Sequence, residues 1–278
     1  MITFHNGRAL GYDDVGKGTP VLFLHGFPHD RSLWSPQLGA LAAPARTVCM
    51  DLRGFGESAA GEPAGESAAG ESAAGKPAGV DGYADDAAAL LDVLGIDRAV
   101  ITGLSMGGYA TFAFWRRHRD RVRALVLCDT RATADTDASR IARREMQALA
   151  EERGSMAVAN QMIAGMVGKT TREKNPELVD ELHRMMSLAP VRGVVDALDA
   201  LMTRPDSTET LATIDVPTLI IVGEEDVLTP VKDARAMHLA IAGSRLEVIA
   251  GAGHVSNAER PATFNHVLSE FLVSLTAQ

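Results

Sequence analysis

The sequence has little cysteine, no long apolar run and a deficit of positive charge. Two cysteines among 278 residues cannot hold a disulfide scaffold together, so a chain of this length must rely on a packed core. No apolar run approaches the roughly 20 residues of a membrane-spanning helix. With 27 Lys and Arg against 36 Asp and Glu, the net charge is −9, and an acidic surface disfavours nucleic-acid binding. We therefore expect neither a membrane nor a nucleic-acid partner.

The first twenty residues also lack the basic and apolar regions of a secretory signal peptide. Cys49 and Cys128 lie in the strand-like runs TVCMDL and ALVLCD, a position typical of small buried residues in a reducing compartment. The composition, 46% hydrophobic and 23% charged, is that of an ordinary soluble globular protein. These features together predict a cytoplasmic protein.

Short apolar runs alternate with helical stretches along most of the chain. Between the runs lie segments with helical periodicity, such as YADDAAALLDVLG and DARAMHLAIAG. This alternation predicts an α/β fold with a mostly parallel sheet flanked by helices. The opening residues instead predict a hairpin around Asn6 and Gly7 that adds antiparallel strands at one edge. The predicted buried strands are VLFLHG (21–26), TVCMDL (47–52), AVITGLS (99–105), ALVLCD (124–129), TLIIVG (218–223) and LEVIAG (246–251).

Two segments interrupt this alternation. Residues 57–79 contain only Ala, Gly, Glu, Ser, Pro and Lys, with repeated GESAAG units, and cannot bury a core of their own. We predict a flexible low-complexity loop there, with a dedicated binding element as the alternative. Residues 131–212 lack strand signals and hold seven of the eleven methionines. We interpret them as a helical cap inserted into a core formed by residues 1–130 and 213–278.

The pentapeptide GLSMG at residues 103–107 matches G-x-S-x-G, directly after a predicted strand and before a helix. Its glycines permit a sharp turn that lifts the Ser105 side chain off the sheet. The following helix points its positive dipole end at that position. A glycine-rich turn with a capping serine would give the same residues, so the interpretation depends on partners. A serine nucleophile needs an adjacent base and a carboxylate that orients the base.

Candidate partners follow the next strands. Asp226 lies just past TLIIVG and His254 just past LEVIAG. Both positions are at the carboxyl ends of predicted parallel strands, as Ser105 is, and open α/β sheets form their active sites at that edge. Three other carboxylates stay open as alternatives to Asp226: Glu224, Glu225 and Asp129.

A second glycine-rich turn, HGFP at residues 25–28, follows the strand VLFL. Such a turn can aim the backbone N–H of Phe27 at a developing oxyanion, together with the N–H of Met106. We expect His25 to brace this loop through hydrogen bonds and His29 to lie at the rim of the site. Because both oxyanion donors belong to the backbone, point mutation cannot delete them cleanly.

The motifs resemble those of the α/β-hydrolase superfamily in its serine-nucleophile branch, which includes carboxylesterases and 3-oxoadipate enol-lactonase-like hydrolases. They are HGFP (25–28), DLRGFGES (51–58), GLSMGG (103–108), GEED (223–226) and GAGH (251–254), and they span nearly the whole chain. The resemblance implies an α/β-hydrolase fold with Ser105 as nucleophile, His254 as general base and acid, and Asp226 as the orienting carboxylate. Within DLRGFGES, Asp51 and Arg53 are predicted to form a structural ion pair.

The expected activity is hydrolysis of carboxylic esters of small to medium apolar substrates through an acyl-enzyme intermediate. The same triad would serve an enol-lactone hydrolase, a C–C hydrolase or a perhydrolase, and a non-catalytic binding protein ranks last because all three triad members are present. The expected partner is a small-molecule ester or lactone. The motifs call for no metal and no organic cofactor, and the sequence does not determine the oligomeric state.

An apolar substrate pocket is expected between the HGFP loop, the nucleophile and the cap. Methionines suit varied apolar ligands because their side chains are flexible. For most of the methionines, ordinary helix packing is the competing interpretation. The pocket candidates are Phe27, Trp34, Met106, Met162, Met166 and Met185.

Overall fold

The computed structural model describes residues 1–41, 45–59 and 79–276. In this part of the chain eight strands form one sheet in the order β1-β2-β4-β3-β5-β6-β7-β8. The N-terminal hairpin pairs β1 with β2 and adds β2 antiparallel to β4, while β3 to β8 run parallel. The predicted mostly parallel sheet with an antiparallel edge is confirmed. The strands are β1 (Ile2–His5), β2 (Arg8–Gly16), β3 (Thr19–Leu24), β4 (Ala45–Met50), β5 (Ala99–Leu104), β6 (Val122–Cys128), β7 (Thr218–Gly223) and β8 (Arg245–Ile249).

Helices cover both faces of the sheet and fill the segment between β6 and β7. They are α1 (Ser35–Leu38), α2 (Gly79–Val93), α3 (Met106–Arg117), α4 (Asp137–Met166), α5 (Lys169–Lys174), α6 (Pro176–Ser187), α7 (Val191–Thr203), α8 (Thr208–Leu211), α9 (Val231–Ala240), α10 (Ser256–Glu259) and α11 (Pro261–Ser274). Of the described residues, no helix is both long enough and apolar enough to cross a membrane.

The parallel strands build two hydrophobic cores because successive side chains point to opposite faces. In β5, Ile101 joins the core that includes α2, α3 and α9 side chains, whereas Val100 joins the core that includes α11. In β3, Leu22 and Phe23 divide in the same way. All four side chains have no exposed surface. The central strands are therefore packed on both faces.

The inserted segment, residues 131–212, holds the five helices α4 to α8 between β6 and β7. Helix α4 is interrupted at Gly154, whose φ of 77° and ψ of 173° belong to a region almost restricted to glycine. Helices α5 and α8 have six and four residues, too few to show helical periodicity in the sequence.

A buried ion cluster ties this segment to the core. The guanidinium of Arg204, just after α7, donates to Asp135 at 2.7 Å and lies over the Tyr109 ring of α3 at 4.1 Å from its centroid. Arg143 of α4 donates to the same carboxylate. Burial alone would raise the pKa of Asp135, but the two guanidinium groups lower it by more, so the pKa of Asp135 lies below its ordinary value. The carboxylate therefore stays charged and paired at neutral pH.

The segment predicted as a low-complexity loop, residues 57–79, is described only at its two ends. Its first residues form a 3-10 turn, Gly56–Ala59, in which the Ser58 hydroxyl accepts the Gly11 N–H at 2.9 Å and donates to the Asp51 carbonyl at 2.8 Å. Most of the repeat, residues 60–78, lies outside the described residues. The prediction for that part stays a prediction.

Candidate active site

Ser105 occupies the turn between β5 and α3. Its φ of 52° and ψ of −110° place a non-glycine residue in a conformation that side chains rarely adopt. The turn is fixed at both ends: the Ser105 N–H donates to the Cys128 carbonyl at 2.9 Å, and Thr130 Oγ1 donates to the Ser105 carbonyl at 2.9 Å. A strained residue held by such bonds carries its side chain above the sheet edge, as the motif predicted.

The glycines of the motif are required by space as well as by backbone angle. A Cβ on Gly103 would lie 2.2 Å from the Gly107 carbonyl oxygen, and a Cβ on Gly107 would lie 2.1 Å from the Leu24 carbonyl oxygen. Both distances are far below van der Waals contact, and the obstructing atoms belong to the backbone. The start of α3 can therefore pack against β3 and β5 only if these positions lack side chains.

The structure brings Ser105, His254 and Asp226 together in one chain of hydrogen bonds. His254 Nε2 lies 2.8 Å from Ser105 Oγ, and His254 Nδ1 lies 2.8 Å from Asp226 Oδ2. A carboxylate only accepts hydrogen bonds, so His254 carries its proton on Nδ1 and leaves Nε2 free to accept the serine proton. His254 and Asp226 are buried, at 2% and 4% exposure, and Ser105 is partly exposed.

The two titratable groups of this chain stabilise each other's charge. Burial raises the pKa of Asp226, but His254 and the hydrogen bonds from Thr229 outweigh it, and the net pKa lies below its ordinary value. Burial lowers the pKa of His254, but Asp226 outweighs it, and the net pKa lies above its ordinary value. The pair thus favours an imidazolium beside a carboxylate, the charge state that follows proton transfer from a serine.

Asp226 accepts three hydrogen bonds that were not predicted from the sequence. The backbone N–H groups of Leu228 and Thr229 donate to Oδ1 at 2.8 and 2.9 Å, and Thr229 Oγ1 donates to Oδ2 at 2.7 Å. The signal was available, because an aspartate followed by a hydroxyl residue three positions later is a common local turn.

The alternative carboxylates contact other groups. Asp129 is fully buried and accepts from the Gly223 N–H at 2.8 Å and from the Ser256 hydroxyl at 2.6 Å. Glu224 accepts from the Gly251 N–H, and Glu225 from Thr170. Of these three, none hydrogen-bonds to His254 within the described residues. Asp226 alone among the four candidates reaches the imidazole.

The HGFP loop lies directly against the nucleophile. A Cβ on Gly26 would stand 3.3 Å from the Ser105 Cβ, and the Phe27–Pro28 peptide bond is cis. In the part of the chain that the structure describes, neither the Phe27 N–H nor the Met106 N–H donates a hydrogen bond. Both expected oxyanion donors are therefore free to bind a ligand.

His25 and His29 differ sharply in their surroundings. His25 Nε2 accepts the Leu52 N–H at 3.0 Å, and its Nδ1 lies 2.9 Å from the Gly26 carbonyl. These bonds brace the loop as expected, and burial lowers the pKa of His25. The expectation for His29 was wrong: it is only 1% exposed and lies inside the protein rather than at the rim.

The pocket candidates are divided among different cores. Trp34 is fully buried with its ring 4.9 Å from the Phe23 ring and 6.1 Å from the Phe264 ring, in the core beside α11. Phe27 and Met106 belong to the opposite core. A place for Trp34 in the same pocket as Phe27 and Met106 therefore finds no support in the structure.

The methionines of the inserted segment divide similarly. Met166 forms a small buried cluster with Met186 and Ala159, and Met162 packs against that cluster. Met185 instead packs against the core beside α11. Helix packing accounts for Met185, while Met166 also contacts the loop of His254, whose N–H donates to the Met166 carbonyl at 3.1 Å.

The ion pair predicted within DLRGFGES is wrong. Asp51 accepts from the Arg31 N–H at 2.8 Å and from the Arg31 guanidinium, and Arg53 instead pairs with Asp86 at 2.7 Å.

Across the described residues, no group of three His, Cys, Asp or Glu side chains is arranged to hold a metal ion.

Comparison with known proteins places this geometry in a family. A family model described as alpha/beta hydrolase fold matches residues 19–261. The chain is 29% identical over 285 residues to 3-oxoadipate enol-lactonase 1 of Acinetobacter baylyi, covering 99% of this chain and 97% of that protein.

Solved structures agree with the family match. A thermophilic esterase from Thermogutta terrifontis superposes with a TM-score of 0.90 at 34% identity, covering 99% of both chains. The enol-lactonase from Burkholderia xenovorans gives a TM-score of 0.86 at 27% identity, covering 98% of this chain and 100% of that one. With an eight-stranded, mostly parallel sheet and a matched region that spans most of its length, the chain belongs to the alpha/beta hydrolase fold family.

Proposed function

We propose that the protein is a serine hydrolase that cleaves carboxylic esters of small to medium apolar substrates. The observation that carries the proposal is the continuous chain from Ser105 Oγ through His254 to Asp226, with both links at 2.8 Å. Hydrogen-bonded nucleophile, base and orienting carboxylate are the three parts that acyl transfer by a serine requires. The named esterase and enol-lactonase relatives support the same class of chemistry.

In the proposed mechanism, Ser105 Oγ attacks the ester carbonyl while His254 Nε2 takes the hydroxyl proton. The tetrahedral intermediate collapses when His254 returns that proton to the leaving alcohol, which leaves Ser105 acylated. Water then attacks the acyl-enzyme with His254 as base, and release of the carboxylic acid restores the serine. Asp226 keeps His254 in the Nδ1–H tautomer and offsets the imidazolium charge in both steps.

The oxyanion of each tetrahedral intermediate is assigned to the N–H groups of Phe27 and Met106. Gly26 packs against Ser105, and neither N–H has an acceptor in the described part of the chain. Met106 is also the first residue of α3, so the helix dipole favours negative charge at its N–H. Preorganised donors of this kind each contribute about 10²- to 10³-fold in rate.

The helical segment, residues 131–212, is assigned as a cap over the site. The Glu259 carboxylate accepts the Gly253 N–H at 2.8 Å from the loop that carries His254, and the Gly168 N–H at 2.9 Å from the inserted segment. These two bonds, with the bond from the His254 backbone N–H to the Met166 carbonyl, hold the end of α4 against the loop that carries His254. Met162 and Met166 are then the cap residues best placed to contact an apolar substrate.

A second candidate, hydrolysis of an enol-lactone, is favoured by the relatives named 3-oxoadipate enol-lactonase. The chemistry at Ser105 would be the same, because a lactone is a cyclic ester whose leaving oxygen stays attached to the acyl group. The two candidates differ in substrate shape and not in the catalytic residues.

Hydrolysis of p-nitrophenyl esters from acetate to octanoate by the wild type and by Ser105→Ala tests the proposal. We expect turnover in the wild type and its loss in the variant, and the chain length with the highest kcat/KM reports the depth of the acyl pocket. A folded wild type that is inactive on every ester and active on enol-lactones would replace the first candidate by the second. Full activity in Ser105→Ala would refute both, because the nucleophile would then be elsewhere.

A further inference from the structure

His29 is a buried polar residue beside the candidate site that the proposed mechanism does not use. It closes the turn of the HGFP loop, its backbone N–H donating to the Gly26 carbonyl at 3.0 Å. Gly26 in turn packs against Ser105. At 1% exposure the imidazole lies inside the protein, two residues beyond the oxyanion donor assigned to Phe27.

Both ring nitrogens of His29 lack a hydrogen-bond partner among the described residues, although both are buried. The Gly26 carbonyl, an acceptor in the same turn, already receives the His29 backbone N–H and lies 2.9 Å from His25 Nδ1. A buried polar group without a partner destabilises a fold, and such groups persist where they serve a ligand. A leucine of similar size would fill the same space without that cost.

The surroundings of His29 keep its imidazole neutral. Burial, followed by the charges of His25 and His254, lowers the pKa of His29 to about 3 against the opposing effect of Asp30. The ring therefore offers one N–H donor and one nitrogen acceptor at neutral pH. A neutral ring suits an uncharged polar atom, since it cannot compensate the charge of a carboxylate removed from water.

We propose that His29 is a specificity-determining residue whose ring N–H donates a hydrogen bond to an uncharged oxygen (an ether, hydroxyl or ketone) in the substrate. The inference rests on the proposed hydrolase function and narrows its substrate class from purely apolar esters to esters or lactones that carry a further oxygen. The oxygen lies beside the reacting carbonyl, because the loop of His29 packs on Ser105. The imidazole takes no part in the proton transfers assigned to His254.

The test compares esters that differ only by oxygen in place of a methylene group. Suitable pairs are p-nitrophenyl methoxyacetate with the butanoate and p-nitrophenyl 3-methoxypropanoate with the pentanoate. Matched methoxyethyl and butyl acetates probe the alcohol side. The ratio of kcat/KM within each pair is measured for the wild type, His29→Leu, His29→Gln and the exposed-site control His5→Leu. Intrinsic reactivity cancels when ratios are compared between variants.

We expect the oxygen-to-methylene ratio of at least one pair to fall about 3- to 10-fold in His29→Leu, the usual range for one neutral hydrogen bond. His29→Gln, which keeps an N–H donor, should retain part of the preference, and His5→Leu should match the wild type. Ratios that are equal in the wild type and His29→Leu for every pair would overturn the proposal. A higher kcat/KM of the wild type for p-nitrophenyl hydrogen glutarate, which carries a carboxylate, than for the methoxy esters would overturn the assignment to an uncharged oxygen.

Thermal unfolding supplies a readout that does not depend on hydrolysis. If the ring has no partner in the free protein, His29→Leu removes an unsatisfied buried group and Tm should rise by about 2–4 °C. A fall in Tm would show that the imidazole is bonded within the fold and is structural. Failure of the proposed function would give a different result, because the wild type would then turn over no ester or lactone. The Tm comparison would still show whether the His29 imidazole is bonded within the fold.

Discussion

Replacing Asp226 by asparagine should inactivate the protein by reversing the tautomer of His254. The backbone N–H groups of Leu228 and Thr229 donate to Oδ1 at 2.8 and 2.9 Å, so the oxygen of a carboxamide must occupy that position. Its NH2 group then takes the place of Oδ2 and donates to His254 Nδ1. The proton of His254 moves to Nε2, where it blocks transfer from Ser105.

The expected effects of Asp226→Asn on stability and on kcat follow from the interactions that the asparagine keeps and loses. The fold keeps both backbone hydrogen bonds, and the new NH2 group can donate to Thr229 Oγ1, so stability should change by only about 1 kcal/mol. Catalysis loses the correct tautomer and the stabilisation of the imidazolium, which together are worth about 10⁴-fold in kcat. This corresponds to about 5.4 kcal/mol of transition-state stabilisation.

The pH profile gives an independent check of the same pair. The active form needs neutral His254, and Asp226 holds its pKa above the ordinary value. The kcat/KM of the wild type should therefore rise with pH through a midpoint above about 6.5. In Asp226→Asn burial is no longer opposed by the carboxylate, so the midpoint of the residual activity should move to lower pH.

The assay is hydrolysis of p-nitrophenyl butanoate between pH 5 and 9, with Asp129→Asn as the matched control. Asp129 is equally buried and follows β6 as Asp226 follows β7, but it bonds to Gly223 and Ser256 and not to His254. The control should lose stability, by about 1–3 kcal/mol, and less than tenfold in kcat. Activity of Asp226→Asn within tenfold of the wild type, or equal impairment of both variants, would refute the reasoning.

Two further substitutions test the framework that holds the site. Asp135→Asn leaves the Arg204 guanidinium buried without its carboxylate and should cost about 3–5 kcal/mol by urea unfolding. The control is Asp215→Asn, which removes an exposed ion pair with Arg119 and should cost less than about 1 kcal/mol. Because the folded pKa of Asp135 is lowered, this difference is complete above its unfolded pKa of about 3.9 and should shrink as the pH falls through the folded pKa. Gly107→Ala places a Cβ 2.1 Å from a backbone oxygen and should destabilise by about 1–3 kcal/mol. Gly165→Ala, whose nearest neighbour would be 3.6 Å away, should be neutral or stabilising by up to about 1 kcal/mol. Equal effects of the two alanines would contradict the packing argument.

The sequence predicted the sheet and the meeting of Ser105, Asp226 and His254 because both depend on local patterns. Buried parallel strands have continuous apolar runs, and most of the runs end at a glycine or an acidic residue where the chain leaves the sheet. Parallel pairing of β5 with β6, β6 with β7 and β7 with β8 then brings their carboxyl ends to one edge. Ser105, Asp226 and His254 needed only to follow their strands closely to meet there.

The same reasoning gave wrong predictions in irregular segments. Trp34 ends a 3-10 turn, Arg31–Trp34, and the direction of its side chain is set by the core beside α11 rather than by spacing. Asp51 was paired with its neighbour Arg53, but its carboxylate accepts from the Arg31 and Glu57 backbones as well as from the Arg31 guanidinium. In such segments the direction of a side chain depends on contacts with residues distant in sequence. These contacts cannot be inferred from local patterns in a single sequence.

The two buried aspartates near His254 show why strand position alone does not assign the charge. Burial and then the charge of Asp226 raise the pKa of Asp129 well above its ordinary value, whereas His254 and Thr229 lower that of Asp226. One imidazolium can offset one carboxylate, and two close carboxylates in a buried site resist full ionisation together. Since Asp226, and not Asp129, hydrogen-bonds to the imidazole, Asp226 carries the negative charge in the proposed proton transfer. Asp129 instead accepts from Gly223 at the end of β7 and from Ser256 at the start of α10, and so ties together the two ends of the segment that carries Asp226 and His254.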